Sequence, residues 1–388
     1  MIGNILTFSS LEIALIGILC GLFLIQLFYY LVIYGRPLRA SQKEAGGKEY
    51  PLEPVSVIVY TLGDSEYLRQ NLPVLLQQDY PEYEVIVVND GSDAESEDVL
   101  KLLSQEYKHL YYTYVPINTQ YLSHKKLALT MGIKAAKHEL LLFTEAECKP
   151  TNRQWIRSMV ANYTPATEIV LGFCSYPYHS SMNDRLIGYK NLLRGLQILS
   201  QGLQQKRYIG DGRNLSYRKA IFYAHKGYAQ SLNLHEGADD LFINQVETPT
   251  NVRVQYTPDS ILTMNRFEEF NRWQEMEIAR ATTQQFLKGG ASSLFQLGHI
   301  CSFCFVVLSL SLIVMGIMGH WLLSIFSGLL LIARYATKMV IFQRSALLLQ
   351  QKPLTVWIPF LEIQASIHSL CIRFYRLFRR KKDFTTKL

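Results

Sequence analysis

The chain has no lysine or arginine ahead of Arg36, although it carries a net charge of +7 over 388 residues. It also lacks both glycine signatures that seat a nucleotide phosphate on backbone amides, the GxGxxG fingerprint and the GxxxxGK[ST] loop. No base-reading module is recognisable and the basic tail, Arg376 to Lys382, is short, so nucleic acid is not an expected partner. Cys301-x-x-Cys304 has zinc-like spacing but no second pair, and it lies in an apolar run; all six cysteines read as reduced and structural. If this chain binds a nucleotide, its phosphates must be held by something other than a glycine loop.

What is abundant is apolar sequence, 49% of the residues against 18% charged, and it collects at the two ends. Leu11 to Tyr34 would extend about 36 Å as a helix, enough to cross a bilayer. With no basic residue before it and more length than a signal-peptide core, it reads as an uncleaved anchor. Arg36, Arg39, Lys43 and Lys48 follow it, which puts the N-terminus outside and the middle of the chain in the cytoplasm. Leu297 to Gly319 and Trp321 to about Ile341 form an expected helical hairpin returning to the cytoplasmic side, with Arg334, Lys338 and Arg344 on its inner half. Leu354 to Phe374 is interrupted by Pro359, Glu362 and His368, and it runs into the basic tail. It is expected to lie at the interface on anionic headgroups or to be re-entrant; a fourth span is the alternative.

Between these segments the periodicity changes. Val55 to Tyr60, Glu84 to Asn89, Tyr111 to Val115 and Glu139 to Phe143 read as strands, alternating with helical patterns at Tyr67 to Gln78, around Val99 to Leu110, and at Lys125 to Lys137. This alternation implies an α/β domain with a mostly parallel sheet covered on both faces. In such sheets ligands collect beyond the carboxyl ends of the strands, and two acidic clusters fall there, Asn89 to Asp93 and Thr144 to Glu147. In an extended turn Glu145 and Glu147 point the same way and could share a hard divalent cation whose remaining ligands come from a substrate diphosphate. An isolated ExE would be a solvated loop, and an isolated Asp-Gly a turn; position at two strand ends favours the metal.

In order, VSVIV, LLQQDYPEYEVIVVNDGSD, HKKLALTMGIKAAKHELLLFTEAEC, GDGRNLSYRK and GADDLFINQ resemble the family 2 glycosyltransferases of GT-A fold, particularly bacterial membrane-anchored members, over roughly 54–258. The resemblance implies a GT-A (nucleotide-diphospho-sugar transferase, Rossmann-like) domain over 54–290. Before it lie an anchor at 1–35 and a cytoplasmic linker at 36–53; after it come a transmembrane hairpin at 291–345 and an interfacial segment with a basic tail at 346–388. It implies that Thr61 and Asp90 lodge the nucleotide, that Lys125 lies near its diphosphate, and that Glu145 and Glu147 stand where the family has its DxD aspartates. The added methylene in each arm makes dependence on Mg²⁺ or Mn²⁺ the least direct transfer. Asp240 matches the catalytic base, with Asp239 beside it, while Gly210, Gly212 and Asn214 resemble the loop that approaches the sugar, with Asn214 available to bind a hydroxyl. The helix expected over Met182 to Leu203 would border an acceptor channel or simply pack.

At one point the resemblance fails. The QxxRW motif of processive synthases is reduced to Arg272-Trp273, with no glutamine three residues earlier. A single-sugar transfer is therefore expected, by inversion, from a nucleotide-diphosphate sugar to a lipid-linked or glycan acceptor hydroxyl at the inner membrane. The alternative is a non-catalytic, glycosyltransferase-like subunit of a glycan-synthesis complex.

Overall fold

The computed structural model describes residues 9–41, 52–91, 93–116, 123–178, 180–267 and 269–378. Most of the expected linker and the end of the basic tail lie outside these residues.

The first helix, α1 (Ser10–Phe28), opens on a reciprocal cap in which Ser9 accepts from the Glu12 amide and Glu12 from the Ser9 amide. It runs on as a π-helical turn, Tyr29–Tyr34, and a short helix, α2 (Arg36–Ser41). Leu11, Ile18 and Leu24 on α1 are more than half exposed, as an apolar helix facing lipid would be. Arg36 donates to the Ser200 carbonyl at 2.8 Å and so ties the end of this segment to the domain that follows.

That domain begins with β1 (Val55–Thr61), α3 (Ser65–Leu76), β2 (Tyr83–Asn89), α4 (Ala94–Glu106), β3 (Leu110–Tyr114), α5 (His124–Ala135) and β4 (Leu140–Glu145). The four strands are parallel, with Val55 opposite both Tyr83 and Leu140. β1 and β2 are apolar on both faces because helices cover both faces. The helices start where the sequence provides caps: Asp93 accepts from the Glu95 and Ser96 amides, and Ser123 from Lys126. These elements follow the expected alternation to within about two residues at their ends, except α4, which starts five residues before Val99 and stops at Glu106, leaving Leu110 to β3.

The chain then becomes less regular, through β5 (Cys148–Pro150), α6 (Trp155–Val160), β6 (Ile169–Leu171), β7 (Cys174–Ser175), α7 (Met182–Leu203), β8 (Leu215–Arg218), α8 (Lys219–Ala224), α9 (Asp240–Val246), β9 (Val252–Val254), β10 (Leu262–Met264) and α10 (Phe270–Thr283). The main sheet has the order β3-β2-β1-β4-β8-β6-β9, with β8 antiparallel to both neighbours; β5, β10 and β7 form a small second sheet. Strands of two to four residues carry no legible periodicity, so sequence reading passes over them.

Three long helices complete the described chain: α11 (Ala291–Met318), α12 (Trp321–Leu348) and α13 (Ile358–Phe378). With the N-terminal helix they make four that are long and apolar enough to cross a membrane. α1, α11 and α12 share a small core of Leu19, Phe305, Leu312 and Leu323. α13 instead lies along the α/β domain, where His368 stacks on Trp273 of α10 at 4.9 Å and Arg376 donates to the Ala281 carbonyl. Its Glu362 is held by Arg334 at 2.6 Å and Lys338 at 2.8 Å from α12. An aromatic seam of Tyr34, Phe295, Phe342 and Tyr189 joins the helices to α7, so the domain sits against them as one packed body.

Candidate active site

The parallel strands end at one rim, and that rim is under-satisfied. Thr61 Oγ1 at the end of β1, Asn89 Nδ2 at the end of β2, Tyr114 Oη at the end of β3 and Thr144 Oγ1 near the end of β4 are all buried. Each lacks a hydrogen-bond partner among the described residues. Buried polar atoms are nearly always paired, so four orphans at four adjacent strand ends mark a place where something else supplies the partners. Asp90 follows β2 there: its amide donates to the Thr61 carbonyl, its Oδ2 accepts from the Tyr60 hydroxyl at 3.0 Å, and its Oδ1 lies 2.8 Å from His124 Nδ1. Thr61 and Asp90 are thus neighbours at this rim.

Next to them Lys125, on the first turn of α5, reaches across to Glu145 Oε1 at 2.7 Å and to Asp239 Oδ2 at 3.2 Å. Burial alone would depress the lysine, but the carboxylates of Asp239 and Glu145 outweigh it and hold the ammonium well above its ordinary value. One ammonium cannot neutralise both acids. Burial pushes Glu145 up, yet the closer contact with Lys125 wins and keeps it below the usual carboxylate range. Asp239 stays above that range, because burial and the neighbouring Glu145, Asp211 and Asp240 exceed what Lys125 returns. Glu147, in the turn before β5, is raised to about 7 by burial and by the charge of Glu145.

Of these groups Lys125, Glu145 and Asp239 line a cavity of about 60 Å³, together with Asp240, Gly210 and Asp211, among others; Thr61, Asp90 and Glu147 lie outside its wall. Asp240 begins α9; its Oδ2 accepts from the Thr283 hydroxyl at 2.6 Å and its Oδ1 from the Leu241 amide at 2.8 Å. Gly212 is where it is for a steric reason: a Cβ there would sit 2.3 Å from an Asp239 carboxylate oxygen. Gly210 would likewise press on Ile243 at 2.8 Å.

One expectation is corrected. Asn214 does not offer its amide to a sugar hydroxyl, because its Nδ2 donates to the Phe173 and Ser260 carbonyls at 2.8 Å and its Oδ1 accepts from Trp155 Nε1 at 3.2 Å. It is buried and braces the loop from behind.

Sequence reading also missed the arginines. Arg194 of α7, Arg213 of the glycine loop and Arg280 of α10 line the small cavity and, on their other side, a larger one of about 410 Å³ that reaches α11 and α13. Arg213 was visible inside the GDGRN stretch; Arg194 and Arg280 carry no motif and meet only through folding. Trp273 lines the larger cavity, while Arg272 pairs with Asp64 at 3.3 Å.

No three His, Cys, Asp or Glu side chains converge as a ready-made metal site among the described residues. Glu145 and Glu147 nonetheless fit a hard divalent ion whose other ligands are phosphate oxygens, since both are carboxylates and the charge of one already raises the other.

The family model described as glycosyl transferase family 2 matches residues 56–225. A poly-β-1,6-N-acetyl-D-glucosamine synthase of Staphylococcus epidermidis is 27% identical over 119 residues, which is 31% of this chain and 27% of that one. A second Staphylococcus epidermidis protein of the same name is 28% identical over 96 residues, 25% of this chain and 22% of that one. The chain thus spans about a quarter of the length of these curated relatives. Among solved structures, the mannosyltransferase PcManGT from Pyrobaculum calidifontis in complex with GDP-Man and Mn²⁺ superimposes with a TM-score of 0.58 at 16% identity, covering 95% of this chain and 99% of that one. That likeness concerns the fold and extends through the long helices. Residues 56–225 therefore resemble the family 2 glycosyltransferases, on a GT-A-like fold with long apolar helices at both ends.

Proposed function

We propose that this protein transfers a single sugar from a nucleotide-diphosphate sugar to the hydroxyl of a lipid-linked or glycan acceptor at the inner membrane, with its catalytic domain in the cytoplasm. The observation that carries the reading is the small acidic cavity at the strand ends, which shares Arg194, Arg213 and Arg280 with the larger cavity under the membrane helices. Donor and acceptor would approach from opposite sides and meet beside Asp240.

The nucleotide is received at the rim by Thr61 and Asp90, where unpaired buried groups await partners. Lys125 stands beside the diphosphate. Asp240 accepts the proton of the acceptor hydroxyl as its oxygen bonds to the anomeric carbon. The bond from that carbon to the diphosphate oxygen breaks with its electron pair left on the leaving group, so the configuration inverts. A general base in this role contributes about 10²–10⁴-fold. Thr283 fixes the carboxylate that does this. A Mg²⁺ or Mn²⁺ ion bound by Glu145 and Glu147 would, when present, neutralise charge developing on the diphosphate.

Full-length protein in detergent, offered UDP-N-acetylglucosamine, GDP-mannose and other nucleotide sugars with Mg²⁺, Mn²⁺ or chelator, should release nucleoside diphosphate from one of them. Asp240→Asn should abolish that release while binding the same donor. Undiminished turnover in Asp240→Asn would remove the base assignment, and no release from any donor would favour a non-catalytic subunit.

A further inference from the structure

The larger cavity has two unlike halves. Toward the bilayer it is walled by Phe295, Ile300 and Phe303 of α11 and by Leu370 of α13; Ile300, Phe303 and Leu370 are more than half exposed, so this end opens among the lipid-facing side chains. Toward the reaction site it is lined by Lys190, Arg194, Arg213 and Arg280.

The cations at that inner end outnumber the carboxylates. Asp211 is shared by Arg213 and Arg194, and Glu277 by Lys190 and Arg280. Each carboxylate therefore answers two cations. Arg194 has the poorest partner: Arg213 already holds Asp211 through Nε at 2.8 Å, whereas Arg194 lies 3.8 Å from that carboxylate and its buried Nε has no partner among the described residues. Burial and the charge of Arg280 both depress the Arg194 guanidinium, as expected of a cation short of a counter-charge. Arginine pairs readily with phosphate through several donors at once.

We propose that this cavity binds a membrane lipid whose headgroup carries phosphate, with the phosphate between Arg194 and Arg280 and the hydrocarbon leaving between α11 and α13. This inference rests on the proposed transferase reading and deepens it. The acceptor would be a phosphate-bearing amphiphile rather than a neutral glycolipid or a soluble glycan, and its hydroxyl-bearing end would reach Asp240 in the smaller cavity.

The test uses full-length protein in nanodiscs of neutral lipid. Binding of a long-chain alkyl phosphate, the alkanol of the same length and inorganic phosphate is measured by competition with a fluorescent alkyl phosphate. The alkyl phosphate should bind at least about tenfold more tightly than either of the others, as one hydrogen-bonded charge pair is enough to provide. Arg194→Gln and Arg280→Gln should each erase most of the advantage over the alkanol, and Arg194→Lys should retain part of it, which separates lost recognition from lost folding. Equal binding of alkyl phosphate and alkanol, or of alkyl phosphate and inorganic phosphate, overturns the proposal. Acceptor-independent hydrolysis of the nucleotide sugar, followed in the same preparation, reports on the transferase reading separately. Hydrolysis without discrimination among these probes would sink this inference and leave that reading standing.

Discussion

The two adjoining cavities are built from the same residue types in opposite proportion. The small cavity is walled by four bases, Lys125, Arg194, Arg213 and Arg280, against five carboxylates, Glu145, Asp211, Glu236, Asp239 and Asp240, with Glu147 close by. The larger cavity under the helices is walled by five bases, Lys190, Arg194, Arg213, Arg280 and Arg373, against two carboxylates, Glu277 and Glu362. Desolvated charge is costly, and a protein that buries an imbalance leaves the counter-charge to its ligands. The first cavity is short of positive charge, which a diphosphate can bring as its metal. The second is short of negative charge, which an anionic acceptor can bring. The arginines shared by the two cavities stand where the surplus changes sign.

The comparison can be broken from either side. The largest effect should come from Glu362→Gln, which leaves Arg334 and Lys338 buried against each other. We expect a loss of about 3–5 kcal/mol, the range for an uncompensated buried charge, seen as a lowered midpoint of thermal unfolding in detergent. If Glu362→Gln unfolds at the same temperature as the parent, the cations there are not starved of charge. On the acidic side, Glu147→Gln should reduce transfer by about 10²–10³-fold, as for loss of one transition-state charge stabiliser, with the protein still folded and membrane-bound. A steady-state rate close to the parent's would show that the two-carboxylate site is dispensable.

A smaller effect is expected of Gly212→Ala, whose added Cβ would meet the Asp239 carboxylate and push it off Lys125. The cost should be about 1–3 kcal/mol by the same thermal assay, together with slower transfer. The last case lies in neither cavity. Glu247 is buried, accepts from the Tyr208 amide at 3.0 Å and has one oxygen with no hydrogen-bond partner among the described residues; burial raises it to about 7 from its ordinary 4.5. Because the folded state holds its proton more tightly than the unfolded chain, its contribution is intact below about 4.5 and is lost as pH rises through about 7. Glu247→Gln should therefore flatten the decline in stability between pH 5 and pH 8 by up to about 3 kcal/mol. A pH profile unchanged by the substitution would show that this carboxylate is not the source of the decline.

Much of the first half of the domain was legible, because β1 to β4 and their helices are long enough for period and caps to agree. Asp90 and Glu145 stood out because they fall at the ends of readable strands, whereas Thr61, Lys125 and Asp240 were marked only by the ordered motifs of the resemblance. Asn214 was misread because an asparagine beside glycines serves a ligand or a scaffold equally well, and only Trp155, Phe173 and Ser260 decide between them. Arg194 and Arg280 were invisible. Each is one base on a mixed helix, and what distinguishes them is the number of carboxylates they must share, which is set by α7, α10 and the glycine loop meeting in space. The packing of α13 along α7 and α10 was equally hidden, because hydropathy reports that a helix is apolar but not which surface covers it.

The central claim is that the strand-end cavity is short of positive charge which the donor brings with it. Isothermal titration of the full-length protein with nucleoside diphosphate, in Mn²⁺ and then in chelator, tests it most directly. The account predicts tight binding that needs the metal and is lost in a Glu145→Gln, Glu147→Gln double variant. Binding of equal strength in chelator, or in that variant with Mn²⁺, would contradict it.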